Sequence, residues 1–172
     1  MPCPQKPRSM LLYNRKDVRI VLLMSAFVVV SCAVPLVTVN GCLSGLVAIT
    51  AGCCVVESWA SIIIGLVAGA LYLGFSKLLV RRRIDDAVDA IPVHMVNGIW
   101  GALATGLFAA PDLMTTMYPN STHVGWFYNW GRGSADATLL GCQAVGILFV
   151  IGWVLCTMAP FFWLLHYFGF LR

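Results

Sequence analysis

The sequence predicts an all-α fold, a polytopic transmembrane bundle of about five helices. Three observations lead there. Of 172 residues, 60% are hydrophobic and 10% are charged, where a soluble domain carries about a quarter charged residues. The charges are also segregated: no Asp, Glu, Lys or Arg occurs in Ile20–Val56, Ser58–Ser76, Ala90–Pro111 or Ala137–Leu171. Finally, these stretches match the roughly 20 apolar residues that a helix needs to cross a hydrocarbon layer about 30 Å thick. Backbone groups left unsatisfied in lipid are too costly for irregular spans, so the stretches should be helical. A soluble alternative fails because a chain this short cannot hide so much apolar surface from water.

Residues 1–19 are polar and basic, with Lys6, Arg8, Arg15, Lys16 and Arg19. The apolar run Ile20–Val39 is long enough to span. A signal peptide is disfavoured by the long basic region and by the lack of a clear small-x-small cleavage site after the run. Asn40 separates it from Gly41–Val56, whose Gly41, Ser44, Gly45, Ala48, Ala51 and Gly52 predict a tightly packed helix. Glu57 interrupts, and a helix should follow from about Ala60 to Leu79. Its Gly65 and Gly69 predict a close approach of two helix backbones. Lys77, Arg81, Arg82 and Arg83 close it, and Asp85 and Asp86 form a short loop. The next helix should run from about Val88 to Ala109, followed by a polar loop of about 28 residues. The last helix, from about Thr138 to Phe168, is long enough to tilt strongly, with Pro160 as a candidate kink.

Topology signals agree only in part. Positive residues in short loops favour the cytoplasm, which places the Lys77–Arg83 cluster inside. The sequon Asn120-Ser121-Thr122, one helix later, then lies outside, where glycosylation is usable. The last helix returns Arg172 to the cytoplasm. If Ile20–Val39 and Gly41–Val56 both span, however, the basic N-terminal segment falls outside, against the positive-inside tendency.

The net charge of +4 comes mostly from two basic clusters and speaks to topology, not to nucleic acid. The seven cysteines show no Cys-x-x-Cys pattern. They are expected to be small apolar fillers at helix contacts, and neither a metal site nor a cofactor is expected.

The informative string is Asp85-Asp86-Ala87-Val88-Asp89-Ala90-Ile91-Pro92-Val93-His94-Met95-Val96-Asn97-Gly98-Ile99-Trp100-Gly101. On an ideal helix His94 lies roughly 10 Å into the layer. Ionisable groups at that depth are expensive and usually face a cavity or a partner. By position alone, His94 either serves a pathway or bonds a neighbouring helix to hold packing. Asn97, Gly98, Gly101 and Thr105 follow it at helical spacing, and small residues beside a histidine leave room for a solute. Asp89 points about 140° away from His94 on an ideal helix, which suits a cap or anchor at the helix entrance.

The stretch Asn40–Phe108 resembles the Amt/Mep/Rh ammonium transporter family. The resemblance rests on Asn40-Gly41-Cys42-Leu43-Ser44-Gly45-Leu46-Val47-Ala48-Ile49-Thr50-Ala51-Gly52-Cys53, on Ile63-Ile64-Gly65, and on the Asp89…His94 string with Gly98 and Gly101. It continues through Trp130-Gly131-Arg132-Gly133-Ser134 and the last helix, where it looks most like algal members. The family has an eleven-helix fold of two inverted repeats plus a last helix, and it assembles as a homotrimer with one narrow hydrophobic pore per subunit. Ammonium is recruited at an outer site and loses its proton, and ammonia passes a pair of pore histidines.

On that resemblance the chain corresponds to the second repeat and the last helix. His94 matches the second-repeat histidine, Asp89 the aspartate supporting its helix, and Thr50 a pore-side threonine; Gly98 lies beside the pathway. Residues 1–19 fall outside the match and 20–172 form a partial transporter-like membrane domain, expected in the plasma membrane with its C-terminus cytoplasmic. Met95 stands where many members have glycine, and Ser58 where many have proline. The chain would begin near the seventh family helix, so a non-transporting fragment or packing subunit is the alternative. An enzyme is not expected, since no nucleophile–base–orienter set is visible.

Other polar and aromatic residues carry plainer expectations. His123 should be a solvated loop residue and His166 an interfacial one. Trp126, Tyr128 and Trp130 should form an outer aromatic belt, and Glu57 should bind a loop or helix end.

Overall fold

A computed structural model describes residues 35–119, 122–131, 133 and 136–170, with side chains from residue 37. The basic segment 1–19, most of the run Ile20–Val39, Asn120 and Ser121 of the sequon, Arg132, Ser134 and Arg172 lie outside the described residues. Cys3 and Cys32 lie outside them too. The described residues are helical, with no strand among them beyond one isolated bridge.

Helix α1 spans Pro35–Thr50 and α2 spans Ser58–Arg81. A π-helical turn, Ile91–Val96, leads into α3, Asn97–Phe108. Two short helices follow, α4 (Pro111–Met117) and α5 (Trp126–Gly131), and α6 runs Thr138–Tyr167. Ser58–Arg81, Ile91–Phe108 and Thr138–Tyr167 are each long and apolar enough to cross a membrane.

Three expectations are corrected. Asn40 does not separate two helices; it lies inside α1 and is buried. An amide in an apolar helix has a reason to be there only if it finds a partner, and Asn40 does. The segment around His94 is not uniformly α-helical but begins with the π turn. The long polar loop is partly helical, holding α4 and α5.

Helices α1 and α3 run the same way, with α2 antiparallel to both. Asn40 and Asp89 meet at one end. At the other, Ala110 N–H donates to Val55 O at 2.8 Å, and Val56 pairs with Ala109. The contact between α1 and α3 is backbone-close. A Cβ on Gly101 would stand 2.4 Å from the Ala48 carbonyl oxygen, so only glycine fits. Of the small residues expected to pack, Gly41, Ser44, Gly45 and Ala48 of α1 and Gly52 in the turn after it are buried, while Ala51, also in that turn, is exposed because α1 ends at Thr50. Gly65 is buried, yet a Cβ there would meet nothing within 4 Å. The backbone-close contact thus lies at Gly101, while Gly69 is buried as well. At mid-height Trp100 Nε1 donates to Ile64 O at 3.1 Å, tying α3 to α2.

α6 touches this bundle near its start, where Gly106 of α3 lies under Leu140. None of its residues is buried. The described cysteines are free, and Cys53, Cys142 and Cys156 are exposed instead of filling helix contacts. Lipid is as apolar as a protein interior, so a thiol has no need of a buried site here.

Candidate functional site

The site is built at the junction of α1, α2 and the π turn. Two carboxylates, three residues apart, divide the work. Asp86 caps: its Oδ1 accepts Ala90 N–H at 2.9 Å and its Oδ2 accepts Ile91 N–H at 2.8 Å. These are donors that a helix start leaves without intrahelical partners. Asp89 anchors. Its backbone is left-handed, φ 54°, which turns its side chain away from the cap and towards the two neighbouring helices. There it accepts Asn40 Nδ2 at 3.3 Å, Tyr72 Oη at 3.0 Å and Ser76 Oγ at 3.1 Å. One carboxylate thus ties three elements together with charge-assisted bonds, in surroundings where each bond is strong and each orphan costly. Of the two roles open to Asp89 in the sequence, the cap belongs to Asp86.

The π turn carries His94. Val93 N–H donates to Asp89 O at 3.0 Å, joining the turn to the anchor. Pro92, Val93 and Val96 are buried, while His94 and Met95 face outward. Asn97 ends the turn. Its backbone N–H bonds His94 O, and its Nδ2 reaches back to Pro92 O at 2.8 Å. The side chain therefore bonds back to the backbone of the π turn that it closes. Asn97 is fully buried, and its Oδ1 has no partner among the described residues.

The stripe expected along this helix splits in two. Asn97, Gly101 and Thr105 are buried, and Thr105 Oγ1 donates to Gly101 O at 3.0 Å. His94 lies on the open side, with Gly98 one turn on and half-buried. On an unbroken α-helix His94 and Gly101, seven residues apart, would share a face; the π turn breaks that register, so Gly101 faces α1 while His94 is exposed. A Cβ on Gly98 would meet nothing within 4 Å. Among the described residues, none hydrogen-bonds the His94 imidazole, and none links that ring to the Asp89 carboxylate. Thr50 is also exposed, and its hydroxyl donates to Val47 O at 2.7 Å. Since Ala48 is level with Gly101, Thr50 stands about 13 Å along the axis from His94 at 1.5 Å per residue. The structure brings His94 and Gly98 together but sets Thr50 apart.

Sequence reasoning did not single out Tyr72 or Ser76, and it gave Asp86 and Asn97 no bonding role. Tyr72 and Ser76 are four residues apart in an apolar helix, and that spacing is the signal that pairs them on one face.

The remaining marked residues lie on the other side of the layer or at its edge. Glu57 accepts Trp59 Nε1 at 2.6 Å. Trp126 stacks on Trp130 with centroids 5.2 Å apart, and Phe127 packs on Phe108 at 5.0 Å. His123 is exposed and its Nδ1 is 3.0 Å from Asp136 Oδ2. His166 is exposed near the end of α6.

A family model described as Ammonium Transporter Family matches residues 21–172. The chain belongs to the ammonium transporter family. Among curated members, it is 43% identical over 133 residues to "Ammonium transporter 1 member 1" of Solanum lycopersicum, covering 77% of this chain and 27% of that protein. It is 41% identical over 138 residues to "Putative ammonium transporter 1" of Caenorhabditis elegans, covering 80% of this chain and 25% of that one. The chain thus spans about a quarter of the length of these relatives. The crystal structure of Saccharomyces cerevisiae Mep2 superposes with a TM-score of 0.71 at 24% identity, over 88% of this chain and 34% of that one. The family fold expected from the sequence is therefore present: a helical membrane bundle matching part of a Mep-type structure.

Proposed function

We propose that the chain forms one wall of an ammonium-conducting pore, with His94 facing the path and Gly98 leaving the space beside it. The observation that carries this is the exposed imidazole on a π turn held by Asp86, Asp89 and Asn97. A bare cation crossing a lipid-like layer costs many kcal/mol, while ammonia crosses far more cheaply. Ammonium is therefore deprotonated before the apolar stretch, and an imidazole, able to donate or accept, guides ammonia or relays the proton. Asp89 supports the turn from behind, and Thr50 lines the path further along.

A polar ring on an open face needs helices to cover it, from residues outside the described ones or from another polypeptide. The working assembly is a homotrimer of complete pores in the plasma membrane, with the end of α6 cytoplasmic. That same open face favours the second reading, a packing subunit that conducts nothing by itself.

Ammonium-uptake-deficient cells distinguish these readings. Expression of the protein should restore growth on ammonium and give a methylammonium current. His94→Ala should alter the ratio of ion to ammonia flux while the protein still reaches the membrane. No transport in any expressed form rejects the pore reading, and unchanged selectivity in His94→Ala removes the histidine from the mechanism.

A further inference from the structure

The basic end of α2 has no part in the pore. Lys77, Arg81, Arg82 and Arg83 are all exposed. Three carboxylates follow at once, Asp85, Asp86 and Asp89. From sequence, the simplest outcome is local neutralisation, arginine against aspartate. In the structure no such pair forms, and Asp85 is exposed. Asp86 spends both oxygens on the backbone of the next helix start. Asp89 is held by Asn40, Tyr72 and Ser76. Among the described residues, the one ion pair is His123 with Asp136, so no carboxylate pairs with any of these four cations.

The way α2 ends sharpens the point. Ile84 N–H donates to Leu79 O and Arg83 N–H to Val80 O, both at 3.1 Å, the two bonds of a helix-closing turn. That turn requires a left-handed residue, and Arg83 occupies it with φ 56°. Glycine takes this position without strain; arginine does not. Among the described residues, none bonds the Arg83 side chain. Phe75, Leu78 and Val80, on the last turns of the same helix, are exposed and apolar. An apolar collar followed by unneutralised cations is the pattern of a membrane–water boundary. Long basic side chains lay their stems along the collar and lift their charges to headgroup level. Guanidinium forks match phosphate oxygens.

We propose that Lys77, Arg81, Arg82 and Arg83 form a docking surface for anionic phospholipid headgroups in the leaflet facing this end of α2. The surface rests on α2 crossing the membrane and is independent of ammonium conduction. On the orientation given above, that leaflet is the cytoplasmic one. The collar selects a lipid over a soluble acidic partner, because a headgroup arrives with acyl chains that cover Phe75 and Leu78.

The test is phospholipid retention by the full chain in nanodiscs of phosphatidylcholine with and without phosphatidylserine, read by native mass spectrometry and thermal melting. Phosphatidylserine should be retained preferentially and should raise the melting temperature, less so at high salt. Each arginine changed to glutamine should lower the preference about fivefold, while arginine-to-lysine variants keep most of it. Arg83→Gly gives opposed readouts: higher melting in phosphatidylcholine, because the strain is relieved, and weaker phosphatidylserine retention. Unchanged retention in Arg83→Gly and in Arg81→Gln/Arg82→Gln overturns the proposal. So does inorganic phosphate competing as well as the lipid, which would make the cluster a soluble-anion site.

Discussion

The three-helix junction and α6 solve the same problem in opposite ways. Both are apolar enough to cross a bilayer. Yet every turn of α1 facing α2 and α3 is small and buried, and the junction is pinned by amide, hydroxyl and carboxylate bonds. α6 has 30 residues, a mean hydropathy of 2.3 in its most apolar window, and no buried residue. The lesson is that apolarity selects neither region for the interior of a membrane protein. Lipid tails are as apolar as leucine, so helices associate through close backbone packing and polar bonds. α6 has neither along most of its length, and bulky residues such as Phe149, Trp153 and Trp163 stand outward. Its hydroxyl at Thr157 bonds its own helix, at Trp153 O and Val154 O, and among the described residues ties it to no other element.

Glycine substitution breaks the comparison most sharply. Gly101→Leu would drive a side chain into the Ala48 carbonyl, and overpacking of this kind costs about 3 kcal/mol or more. Loss of folded protein in detergent, measured by size-exclusion and melting, is expected. Gly152→Leu in α6 meets nothing within 4 Å. It should leave the protein folded, with a gain of up to about 1 kcal/mol from helix propensity. Equal damage at both positions would mean that α6 is packed as tightly as α3.

Next in size is the anchor. Asp89→Ala orphans three donors, on Asn40, Tyr72 and Ser76, at a cost of roughly 2–4 kcal/mol from lost bonds and desolvation. Asp89→Asn keeps the shape and should cost less. The double variant Asp89→Ala/Tyr72→Phe should recover part of the loss, since one donor leaves with its acceptor. Additive losses in that melting series would show that the two side chains are not coupled.

How much of this was legible in sequence follows the same division. Charge-free runs and helix length reveal the spans, and the small residues of α1 reveal its buried face. The bounds of α6, expected at about Thr138–Phe168, fall at Thr138–Tyr167 because nothing but hydropathy decides them. The junction was harder. Asn40 looked like a break between two runs because its partner is 49 residues away. The π turn was invisible because no local pattern announces that an asparagine side chain will take over a carbonyl five residues back. His94 could be placed by depth, but which side it faced depended on the π turn that takes it out of register with Gly101.

Asn97 tests that dependence at a smaller scale. Asn97→Leu removes the bond to Pro92 O, a cost of about 0.5–1.5 kcal/mol. If the side chain holds the π turn, the ratio of ion to ammonia flux should shift along with melting. Asn97→Gln, which keeps the amide, should retain more of both than Asn97→Leu. A lower melting temperature with unchanged selectivity would make Asn97 a packing residue only.

The smallest expected effect belongs to the loop that joins the two regions. Asp136 sits just before α6. Its carboxylate accepts the Thr138 hydroxyl and backbone N–H and faces His123, while its own carbonyl accepts Asn129 Nδ2 at 3.0 Å. The Thr138 hydroxyl first, then the backbone bond, then His123 hold this carboxyl down to about 2 from the usual 3.8. A folded value below the unfolded one means that the stabilisation is complete above about pH 4 and fades as pH falls towards 2. Full exposure keeps the effect slight. Melting should therefore be flat with respect to this group from neutral pH to about 4, and Asp136→Asn should differ from the parent above that pH and converge with it below. If the two proteins stay apart at pH 2, the difference comes from the loop's shape, and the start of α6 owes its position to packing at Gly106 and Leu140 alone.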